Sequence, residues 1–186
     1  MASLERHCAF SQGFSHAYIS QNSTGDADIV LVQEGSDARH DDPRKPISPD
    51  SHIEPRQFVH IRVFWTPEPG TKADHPANTN ASIHWCLLGD ENRQDDVLEY
   101  SGSGLVEVSR SGSGATATVR TAWLKTSCCH GEMADPIGRS LVRGEIHAVA
   151  DDAEVKAVLD EMKSLNGSVA QANTSGMQTQ HLSINP

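Results

Sequence analysis

The chain of 186 residues is 37% hydrophobic and 22% charged, with a mean hydropathy of -0.47 and a formal net charge of -10. That length holds one domain with tails and excludes two large ones. The acidic balance repels phosphate, so no nucleic-acid partner is expected, and no apolar run nears the roughly 18 residues of a membrane span.

The first residues, MASLERHCAFSQGFS, contain no continuous apolar stretch. No secretory leader is expected there, and cytoplasmic placement is the default. Residues 1–57 read as an N-terminal arm with one strand near 27–34: Ile29, Val30, Leu31 and Val32 form a β-branched run bounded by Gly25 and Gly35. From Ser36 to Pro55 the sequence is polar and proline-punctuated, which predicts an extended surface connection.

Residues 58–166 carry the fold. Phe58–Trp65 alternates, with Val59, Ile61, Val63 and Trp65 on one face and Phe58, His60, Arg62 and Phe64 on the other. Ile83, Trp85 and Leu87 share a face of the next strand. Val97–Tyr100 and Leu105–Val108 flank Ser101-Gly102-Ser103-Gly104, giving either a hairpin or one long strand kinked by glycine. A second Ser-Gly-Ser-Gly, at 111–114, precedes the strand-like Ala115–Leu124, and Leu141–Val149 is the last strand. Neither glycine stretch opens a helix or precedes Gly-Lys-Ser/Thr, so neither is a phosphate loop.

One helix is signalled over 152–166. Asp151 caps it, Glu154 follows three residues later, and Val155, Val158, Leu159, Met162 and Leu165 form one apolar stripe. Asn166-Gly167 predicts its end, and 167–186, with no Asp, Glu, Lys or Arg, reads as a disordered polar tail. Strands in succession without helical segments between them predict an antiparallel meander. The expected fold is mainly β (α+β): six or seven strands in a curled sheet or barrel, with the C-terminal helix packed on it. In HIRVFWTPEPGT and YSGSGLVEV the chain resembles uncharacterised β-rich proteins of planctomycete-type bacteria. The resemblance spans about 30–149 and implies a β-rich fold without implying a function.

Chemistry is sparse. His84 and Cys86 point to one face of a predicted strand, and Cys128-Cys129-His130 lies in a connection just beyond another. If those segments are neighbours, His84, Cys86, Cys128 and His130 supply an N₂S₂ set of the kind zinc takes. The competing reading leaves the thiols free, with Cys86 a small core residue, and expects no cofactor. Residues 89–96 place oxygen ligands at alternate positions as calcium loops do, but lack the sixth-position glycine. Glu99, Glu107 and Glu145 would form an acid/base set only if they converged at a barrel mouth. Trp65, Trp85 and Trp123 come from three strands and suit either core packing or the lining of an apolar ligand pocket. The function expected is a non-catalytic binding or interaction module for a small apolar ligand or a protein partner. The alternative is a small zinc-dependent enzyme using the His/Cys set.

Overall fold

The structure is a computed structural model. It describes residues 14–22, 25–35, 56–68, 70–72, 75, 78–89, 96–133, 135 and 137–177. Among these residues seven strands, β1 (His16–Gln21), β2 (Ala27–Gln33), β3 (Gln57–Val63), β4 (Ala81–Leu88), β5 (Val97–Ser111), β6 (Gly114–His130) and β7 (Ser140–Ala150), precede one helix, α1 (Asp152–Met177). Each strand pairs antiparallel with the next, and β1 meets β7 to close a barrel. An odd-numbered meander brings its first and last strands together in parallel. That closing ladder is short, Tyr18 opposite Val149 and Ile19 opposite Ala150.

The expected mainly β barrel with one packed helix is therefore the fold. Four local expectations change. β1 lies in the arm, where only one strand was expected. The strand beginning near Phe58 starts at Gln57 and stops at Val63, so Phe64 and Trp65 fall beyond it. Cys128, Cys129 and His130 are the last residues of β6 rather than part of a connection. The helix backbone also continues past Asn166-Gly167 to Met177, across the good helix formers Ala170, Gln171 and Ala172. The proline-rich segment 36–55 lies outside the described residues.

The first Ser-Gly-Ser-Gly sits within one long β5. A Cβ on Gly102 would lie 1.8 Å from the Trp123 carbonyl oxygen, and one on Gly104 2.2 Å from that of Thr121, so glycine admits the close approach of β6. The second makes the β5–β6 hairpin turn, with Gly112 at φ 57° in the first central position, where a type II′ turn needs it. Just beyond Gly104 the ladder slips at Leu105/Val106. On the opposite edge of β5, buried Asn80 carries the pairing with β4 past Ala81: its Oδ1 accepts from Val106 N, and its Nδ2 donates to the carbonyls of Val106 and Trp65, all at 2.8 Å.

The run Ile29–Val32 is apolar on both faces because both are covered. Ile29 and Leu31 face the barrel interior, while Val30 and Val32 lie under α1 with Phe58, Cys86, Val155, Val158 and Met162. Asp151 Oδ1 accepts from the amides of Ala153 and Glu154 at 3.0 Å, capping the helix. The Asp151 amide itself donates to Ile19 O at 3.1 Å, so the helix start extends the seam between β1 and β7.

Candidate functional site

Side-chain size grades along the barrel interior, rung by rung. One rung reads Ala27, Val63, Ala81, Gly104 and Ala122 around the wall; the next reads Ile29, Ile61, Ile83, Gly102 and Leu124. The third is Leu31, Val59, Trp85, Tyr100 and Thr126. Small residues let the strands draw together at the end where β1 and β7 pair. Larger ones hold the other end open, and there a cavity of about 510 Å³ lies among Leu31, Val59, Ile83, Trp85, Tyr100 and Val119. Such a volume suits a small organic molecule. Gly144, between the inward-leaning Val142 and Ile146, adds no side chain to it, and a Cβ there would meet nothing within 4 Å.

The cavity opens at the wall between β7 and β1. Among the described residues, β1 pairs β7 only at the two positions given above, which leaves residues 140–147 parted from it. Phe14 and Ala17 stand on one side of this mouth, and Arg143, Glu145 and His147 on the other.

Polar groups of the interior are few and directed. The Trp85 indole Nε1 donates to Gln57 Oε1 at 2.9 Å; because an indole N–H can only donate, the carboxamide must turn its oxygen that way. Its Nε2 is then left buried without a partner among the described residues. Tyr100, fully buried, donates its hydroxyl to Asp135 Oδ1 at 2.5 Å. Thr126 Oγ1 donates to Oδ2 at 2.5 Å, and the amides of Ile137 and Gly138 donate to Oδ1 at 3.1 and 2.7 Å. Desolvation pushes the Asp135 carboxyl up, but these four donors outweigh it and hold the group at about 2. Burial, then the bond to Asp135, pushes the Tyr100 phenol up. Asp135 thus pins the β6–β7 connection over the wide end of the barrel, with Ile137 and Met133 packed on the interior. The same connection turns at Gly131, φ 83°, where a Cβ would lie 1.8 Å from Asp96 Oδ1.

Of the three tryptophans only Trp85 lines the cavity. Trp65 is 39% exposed beyond the end of β3. Trp123, 47% exposed, points outward between the inward Ala122 and Leu124, with the Arg139 guanidinium 5.2 Å from its ring centroid. Of the candidate set Trp65, Trp85 and Trp123, only Trp85 lines the cavity, and Trp65 and Trp123 pack neither there nor in the core.

His84, Cys86, Cys128 and His130 all lie on the outer face, but on β4 and β6 with β5 between them. Cys86 is opposite Glu99, and Glu99 opposite Cys128. Two strand spacings, about 9.5 Å, separate the two cysteines, too far for one metal or for a disulfide. Cys86, Cys128 and Cys129 are free thiols. Among the described residues no three His, Cys, Asp or Glu side chains are placed to hold a metal ion. Burial, then Glu99 and Cys128, pushes the Cys86 thiol up to about 12, leaving it unreactive.

His84 and Cys86 instead line an outer groove of about 330 Å³ beside α1, with Asp28, His60, Glu99 and Lys163. There His60 Nε2 bonds Asp28 Oδ1 at 2.8 Å, yet desolvation keeps the imidazole below its ordinary value. The three glutamates do not converge: Glu107 pairs with Arg120 at 2.6 Å, Glu145 with His147 at 3.2 Å, and Glu99 borders the outer groove. Most of the calcium-like loop, 90–95, lies outside the described residues. Its last residue, Asp96, accepts from the Glu132 amide at 3.3 Å.

Sequence reading did not single out Gln57, Tyr100 or Asp135. Tyr100 carried a usable signal, an aromatic hydroxyl on the inward row of a strand, which needs a partner once buried. A scan against protein-family models and searches of curated proteins and of solved structures each return no match.

Proposed function

We propose that this protein is a non-catalytic binding module that takes a small apolar ligand into the barrel interior. The observation that carries the reading is the cavity of about 510 Å³ walled by Leu31, Val59, Ile83 and Val119, with one indole and one phenol ring available for stacking. Tyr100 and Asp135 are engaged with each other, which suits a wall and not an acid or a nucleophile.

The experiment is a titration with N-phenyl-1-naphthylamine, a neutral probe that fluoresces in apolar surroundings. Wild-type protein binds one equivalent, and Val119→Phe, which adds a ring inside the cavity, weakens binding at least about tenfold, some 1.4 kcal/mol. No binding up to the probe's solubility, or equal binding by a folded Val119→Phe protein, would overturn the reading.

A further inference from the structure

The edge of β7 that faces β1 leaves residues 140–147 without a strand partner among the described residues, while β6 occupies the other edge. Arg143, Gly144, Glu145 and His147 are exposed, and Leu141 is 38% exposed. An edge left open in this way among the described residues pairs with whatever extended strand fits it, unless its side chains forbid the match.

The order of side chains here specifies a match. Val142-Arg143-Gly144-Glu145-Ile146 is self-complementary about Gly144. In an antiparallel pair related by a two-fold axis through Gly144, Arg143 stands opposite Glu145 of the partner subunit, twice over. Val142 stands opposite Ile146 of the partner subunit on the inner face. Moving the axis one residue either way sets Arg143 or Glu145 against its own copy, and like charges directly opposite are unfavourable. Glycine at the axis adds no side chain between the two backbones, and a Cβ at Gly144 would meet nothing within 4 Å in one protomer. Arg143 and Glu145 alone would guard the edge against foreign strands; their palindromic order admits a second copy of this chain.

From this geometry we infer that the protein forms a two-fold dimer by antiparallel pairing of β7 with β7 of the partner subunit, centred on Gly144. The interface is isologous, and it lays β7 of the partner subunit across the cavity mouth, because Arg143 and Glu145 flank that mouth.

Sedimentation velocity on the full chain tests this. Wild-type protein sediments at twice the chain mass of 20.1 kDa. Arg143→Glu and Glu145→Arg each set like charges opposite one another and weaken association at least about tenfold. The double variant restores opposite charges with their signs exchanged, and restores the dimer. A wild-type monomer at every concentration, or single variants that dimerise as wild type does, would overturn the inference. Should the charge variants fail to fold, amide hydrogen exchange of wild-type protein decides. Protection of residues 142–146 that grows with protein concentration supports the dimer, and concentration-independent exchange there refutes it.

Discussion

Removing the Tyr100 hydroxyl isolates one bond of the contact that fixes the β6–β7 connection. In Tyr100→Phe the ring stays in the cavity wall, and Asp135 keeps Thr126 and the amides of Ile137 and Gly138. A hydrogen bond to an ionised carboxylate contributes about 1.5–3 kcal/mol when sheltered, and solvent at the exposed Asp135 reduces this to about 1–2 kcal/mol. Asp135→Ala does the reverse: it leaves a fully buried phenol without an acceptor and should cost more, about 2–3 kcal/mol.

The pH dependence has a definite sign. The Asp135 carboxyl is held at about 2 in the folded chain against an ordinary 3.8, so folding favours its charged form. That stabilisation is complete above about pH 4 and is lost as the pH falls through about 2. Urea unfolding followed by circular dichroism, at neutral pH and near pH 2, reads both effects. The deficit of Asp135→Asn should shrink on acidification. The reasoning fails if Tyr100→Phe costs less than about 0.5 kcal/mol, or if the Asp135→Asn deficit does not change between the two pH values.

Met162→Ala removes a buried side chain where α1 covers β2 and β3 and should cost about 2–3 kcal/mol in the same titration; Leu159→Ala, at a half-buried position, should cost less. Gly131→Ala combines a positive φ with a collision at Asp96 and should destabilise by about 1–3 kcal/mol, read as a lowered Tm. A thiol reagent at mildly alkaline pH should modify exposed Cys129 and half-buried Cys128 in the folded protein, and Cys86 only after denaturation, as counted by mass spectrometry.

Much of the architecture was legible because alternation and turn chemistry act locally. Val59, Ile61 and Val63, or Ile83, Trp85 and Leu87, announce their shared face whatever surrounds them. The apolar stripe of α1 did likewise. β1 was not legible, because in HAYISQ polar residues flank a short apolar centre and only Ile19 is fully buried. Trp65 falls outside because β3 ends at Val63, before the alternation reaches it, and Trp123 because the β6 ladder slips just ahead of it. The slip between Val119 and Ala122 in the pairing with β7 shifts the alternation of β6, an irregularity no local pattern announces. The proposed metal set fell for a long-range reason: β5 returns between β4 and β6, so residues on a common face are still two strands apart. Asp135 could not be found from its own neighbourhood, since what defines it is the buried Tyr100, 35 residues earlier in the chain.

Contact quenching of Trp85 addresses the interior site most directly. In a protein that keeps Trp85 but carries Trp65→Phe and Trp123→Phe, bromobenzene, whose heavy atom quenches indole on contact, should saturably quench the remaining emission, because Trp85 alone of the three lines the cavity. Trp85 is 9% exposed, so a quencher confined to the outer surface barely reaches it. Emission that stays unquenched in that protein, together with saturable quenching in one that keeps only Trp123, would place the ligand on the outer face and contradict the account.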